Sequence, residues 1–125
     1  MKNTYYDPVQ REIVVLSGTK PARWLSETDV RALESYREAV IWCWKNRPRR
    51  GLNEPDDQAM FARLAGVHAP HMSRYVCLTT KAPMDLKPDL IPEFEAYTGW
   101  RGITQYLAHK AGITVMEHVI AVRSA

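Results

Sequence analysis

Apolar side chains recur along most of this chain with a helical period. From Ser26 they fall at Val30, Leu33, Tyr36, Val40, Ile41 and Trp44, and Ser26-Glu27-Thr28-Asp29 opens the run with a capping hydroxyl and a carboxylate three positions on. The spacing predicts one helix from Ser26 to near Asn46, ended because Pro48 disfavours helical geometry at Arg47. A second helix fits Asp56 to Ala65, with Pro55 and two carboxylates at its start and Gly66 at its end. A third fits Pro70 to about Cys77. A fourth fits Asp89 to Thr98, with Pro92 harmless in the first turn and Gly99 closing it. A fifth fits Trp100 to Lys110, with Ile103, Tyr106, Leu107 and Ala111 on one face and Gly112 beyond.

The two ends follow other rules. Residues 1–25 form an arm whose one strand-like run, Glu12 to Leu16, is rich in β-branched residues and closed by Ser17-Gly18. Residues 113–125 form an apolar tail that alternates weakly and suits strand or helix. The pattern is all-α, with residues 26–112 as the domain.

Composition narrows the class. The 125 residues are 46% hydrophobic and 25% charged, which is globular composition, and 17 basic against 14 acidic residues give +3, which permits a polyanionic partner without requiring one. The longest apolar runs, Ile13-Val14-Val15-Leu16 and Val40-Ile41-Trp42-Cys43-Trp44, fall far short of the roughly 20 residues of a membrane helix. Met1 to Glu12 is polar and no signal-like stretch follows, so the expected compartment is the cytoplasm. Cys43 and Cys77 form no CxxC pair and read as thiols.

The informative segment runs from Gln58 to Cys77, QAMFARLAGVHAPHMSRYVC. Two short helices packed at a steep angle need a small residue at their contact, a residue tolerant of positive φ in the turn, and apolar residues filling the wedge. Ala62, Gly66, and the set Phe61, Ala65, Val67, Met72 and Tyr75 meet those needs together. This segment resembles the helix-turn-helix of Cro and phage-repressor DNA-binding proteins. The block Asp89 to Gly112, DLIPEFEAYTGWRGITQYLAHKAG, is similar to the last two helices of prophage regulatory proteins.

That resemblance implies a five-helix, lambda-repressor-like domain. It further implies that the helix from about Pro70 to Cys77 enters the major groove of operator DNA. The base-reading positions of the family fall on Ala69, Pro70, His71, Ser73 and Arg74. Arg74 is the expected guanine reader, and Ser73 and Gln58 suit phosphate. Thr79, Thr80 and Lys81 follow the reading helix, and the basic loop Lys45 to Gly51 offers Arg47, Arg49 and Arg50 to phosphate. Family members often carry polar amides where this chain has Ala69 and Pro70, and the expected Gly after the reading helix is replaced by Leu78-Thr79-Thr80. Base readout is then either thin or dependent on DNA shape and the basic loop.

A single small module covers little DNA, so a homodimer on a pseudo-palindromic operator is expected. The tail, the arm strand or exposed tryptophans would make the contact. Trp42 and Trp44, two apart on a helix, point to different sides, so one should lie outside the core. No GxSxG, HExxH, P-loop or Rossmann fingerprint occurs, and the sequence indicates no enzyme, cofactor or small-molecule ligand. His68, His71 and Cys77 lack the paired spacing of a zinc site. The alternative reading is a phage-encoded protein-interaction module on the same helical scaffold.

Overall fold

A computed structural model describes residues 22–112 together with residues 117, 120 and 123. The arm strand Glu12 to Leu16 lies outside these residues, as does most of the tail. Of the tail, Glu117, Ile120 and Arg123 are helical. The described chain is all-α, with six α-helices, one 3-10 turn and no strand. None of these helices is long and apolar enough to cross a membrane.

Where one helix is expected between Ser26 and Asn46, there are two: α1, Glu27–Ala32, and α2, Tyr36–Lys45. Leu33 is extended, and Ser35 starts the chain again by accepting a hydrogen bond from the Glu38 N–H at 3.0 Å. The apolar period runs straight through the break because Val30 and Leu33 bury into the same core as Val40. Burial, not continuous helix, sets that spacing.

The other boundaries move by a residue or two. Helix α3, Glu54–Ala65, starts early because the Asn53 side chain caps it, accepting from the Asp56 N–H at 2.8 Å. It ends at Gly66, whose φ of 70° is left-handed. Helix α4 is Ala69–Val76. Pro88–Leu90 forms the 3-10 turn, α5 spans Ile91–Thr98 with Pro92 in its first turn, and α6 spans Gly102–Lys110. Trp100 is not helical. It pairs instead with Arg23 in an isolated parallel bridge, Arg23 N–H donating to Gly99 and Arg101 N–H to Arg23. The Gln105 amide clamps the same segment, accepting from Leu25 N–H at 2.7 Å and donating to its carbonyl at 3.0 Å.

Helix α2 is the axis of the molecule and packs on α4, α5 and α6. Its Trp44 stacks against Phe94 and Tyr97, and Phe61 of α3 meets Phe94 edge-on at 5.5 Å. Trp42 takes the other side, half-buried and edge-on to Trp100 at 5.0 Å. At Gly102 the α6 backbone meets side chains of Cys43 and Leu25: a Cβ there would lie 2.8 Å from Cys43 Sγ and 3.1 Å from Leu25 Cδ1.

Candidate nucleic-acid interface

Helices α3 and α4 are joined by Gly66, Val67 and His68 and pack against each other. Ala62 is buried at their contact. Phe61, Met72 and Tyr75 fill the wedge, while Ala65 and Val67 are half-buried. The small-residue, turn and wedge positions named from sequence therefore coincide in space.

This packing turns one side of α4 outward. Ala69, Pro70 and Ser73 are exposed, and His71 and Arg74 are half-exposed. The first turn of α4 contains no acidic residue, so its free backbone N–H dipoles face no competing carboxylate on their own helix. His71 meets His68 edge-on at 4.7 Å. Partial burial, and after it the charges of His68, Arg74 and Lys87, holds the His71 imidazole below its ordinary value. Every charge that bears on His71 is cationic. Lys87 enters this cluster from the distant 3-10 turn, a neighbour that no local spacing announces.

The C-terminal end of α4 is held by a residue absent from the sequence reading. Arg37 of α2 donates to the carbonyls of Arg74 at 2.8 Å, Cys77 at 2.6 Å and Met84 at 3.2 Å. One guanidinium thus satisfies helix-end carbonyls and pins the loop that follows. Arg74 of α4 grips that loop as well, its Nε donating to the Ala82 carbonyl at 2.7 Å. Lys81 is exposed at the loop surface and Thr80 half-exposed.

The basic loop differs from its expected role. Arg47 and Arg50 point inward, with side chains only 14% and 8% exposed. Arg47 Nε donates to Asp57 at 2.5 Å, its other nitrogens reach Glu54 and the Trp44 carbonyl, and its guanidinium lies over the Trp44 ring at 3.9 Å. Arg50 donates to the Tyr97 carbonyl and lies over the Tyr97 ring at 3.8 Å. Tyr97 in turn donates its hydroxyl to Asp57. A buried carboxylate needs counter-charges, and Asp57 takes both arginines for that purpose. Both guanidiniums are engaged by interior partners rather than standing free on the loop surface. Only Arg49, with Lys45, stays on the surface of the loop.

Gln58 is half-buried and donates to Glu54 Oε2 at 2.8 Å. It stands with the loop arginines around an open cleft of about 320 Å3 that reaches Val76 and Cys77 at the end of α4. The site residues named from sequence thus fall into three groups: Ala69, Pro70, His71, Ser73 and Arg74 on α4, Lys81 on the loop after it, and Gln58, Arg47, Arg49 and Arg50 at the cleft. Among the described residues, no three His, Cys, Asp or Glu side chains gather as metal ligands.

No protein-family model matches this chain, and neither a curated protein nor a solved structure shows significant similarity to it. What fold and site define is an all-α domain with an exposed, cation-flanked short helix.

Proposed function

We propose that the protein is a sequence-specific DNA-binding regulator of the phage-repressor type, with α3 and α4 as its helix-turn-helix and α4 in the major groove. One observation carries the reading: α4 presents an exposed first turn free of acidic side chains, beside His68, His71, Arg74 and Lys87. A helix offered to DNA needs that combination of exposure and positive surroundings. Ala69 and Pro70 at its tip make apolar contact, of the kind a thymine methyl accepts. Ser73 and Lys81 hold phosphate, and Arg49 takes the place of the three-arginine loop. Regulation is by occupancy of a promoter, as a homodimer on half-sites about one turn (~34 Å) apart.

The test is a fluorescence-anisotropy titration with the DNA upstream of the protein's own gene, at two salt concentrations. Tight, salt-sensitive binding that resists scrambled competitor is the expected result. Equal affinity for scrambled DNA overturns sequence-specific recognition. Arg74→Ala is expected to relax specificity, costing ~1–3 kcal/mol on the cognate site.

A second reading, a protein-interaction module, draws on Leu78, which is 62% exposed just past α4. A folded protein that ignores DNA but retains a defined partner in pull-down would favour it.

A further inference from the structure

The cleft beside the basic loop has a charge surplus that the fold does not use. Four cationic side chains line it, Lys45, Arg47, Arg49 and Arg50, against two carboxylates, Glu54 and Asp57. The inner arginines are spent on those carboxylates. The outer pair, Lys45 and Arg49, forms no ion pair among the described residues. Two positive charges are therefore left at the rim of a concave site. Its volume of about 320 Å3 lies at the lower end of the range for small-molecule pockets.

The inner network makes this a prepared site. The stacked, doubly engaged Arg47 and the buried Arg50 hold the loop in one shape, so the outer cations are carried on a fixed frame. The Gln58 amide adds polar capacity, and Leu52 and Val76 add apolar wall. Two exposed cations at one cleft, with a little apolar surface, suit an oxyanion on a small organic body.

We propose that this cleft binds a small oxyanion carrying two or more negative charges, held by Lys45 and Arg49. The inference does not rest on the DNA reading, although Arg49 belongs to both. Its chemistry is shared by free metabolite anions and by the phosphates of a nucleic-acid backbone, and the experiment separates those sources.

Cys77 lines the cleft and supplies a native reporter. Hydrogen bonds from Thr79 lower its thiol below the ordinary value, which favours the reactive thiolate. The other cysteine, Cys43, is fully buried and its thiol is pushed up to about 12 by burial, so it is silent. The full chain is titrated with inorganic phosphate, citrate or adenosine monophosphate at matched ionic strength. The readout is the rate at which Cys77 is alkylated by iodoacetamide, and sodium chloride is the control. Saturable slowing by at least one of the three, with half-saturation near ~1 mM or below, is expected. In Lys45→Ala/Arg49→Ala, half-saturation should move up about tenfold or more, with the circular-dichroism spectrum and melting unchanged. Slowing no greater than that given by chloride overturns the proposal, as does unchanged protection in the double variant. Protection by a DNA duplex but by none of the three small anions also overturns it, and assigns the cleft to backbone phosphate.

Discussion

Asp57 is the buried carboxylate that gathers the inward-turned arginines of the basic loop. Its side chain is 5% exposed and engages Arg47, Arg50 and Tyr97. Removing a buried counter-charge strands the partners it neutralised, which costs far more than the pair itself contributes. Asp57→Asn keeps the shape and removes the charge. It should lower stability by about 3–5 kcal/mol, measured by urea denaturation. Two glycines offer a contrast at the same scale. Gly66 has a φ of +70° with nothing within 4 Å of a new Cβ, so Gly66→Ala should cost only the left-handed backbone strain, ~1–2 kcal/mol. Gly102→Ala instead drives a methyl against Cys43 Sγ, and should cost about 1–3 kcal/mol. The added variant Cys43→Ala is expected to recover part of the second loss and none of the first, read by thermal melting.

Elements were legible wherever their ends are chemically local. Gly66, Gly99, Pro55, Pro70 and Pro92 each act within one turn, and each marks a boundary close to the one found. The break at Leu33-Glu34-Ser35 was not legible, because buried positions on two helices kept one period. The inward turn of Arg47 and Arg50 was hidden for a different reason. Their partners, Asp57 and Tyr97, lie ten and forty-seven positions away, and a run of arginines reads locally as a solvated loop. The α4 surface was legible, since its exposed positions follow directly from which of its side chains fill the wedge. Its electrostatic setting was not, because Lys87 arrives from another element. That setting yields a prediction for α4. His71 is held below the ordinary imidazole value, so it is neutral at pH 7 and gains its charge only at lower pH. On the proposed DNA reading, affinity should rise as pH falls from 7.5 to 5.5 at constant salt, and His71→Gln should flatten the profile in anisotropy titrations.

At the scale of the whole molecule, two carboxylates give the pH–stability curve opposite slopes. Burial pushes Glu54 up, but hydrogen bonds from Gln58, Trp44 and Arg47 outweigh it and hold its carboxyl below the usual range. Its contribution is present above the unfolded value and is lost as pH falls through the folded one. Glu95, buried at 2% exposure, has its carboxyl raised by that burial, despite accepting from the Thr104 N–H and hydroxyl at 2.8 Å each. Its contribution is fullest below the unfolded value and fades as pH rises through the folded one. Glu54→Gln should therefore shrink the loss of stability on acidification, whereas Glu95→Gln should make stability fall less on the way up to neutrality. Urea midpoints measured from pH 3.5 to 7.5 on both variants check the two signs.

Arg37 ties the tilt of α4 to the path of the loop after it, because one side chain on α2 closes the helix and grips Met84 as well. A transplant of residues 68–77 into another scaffold would leave that guanidinium behind. The borrowed helix would then fray at its far end and swing free of its return segment. Any redesign of the α4 surface must carry α2 with it, as the splint that keeps that helix straight.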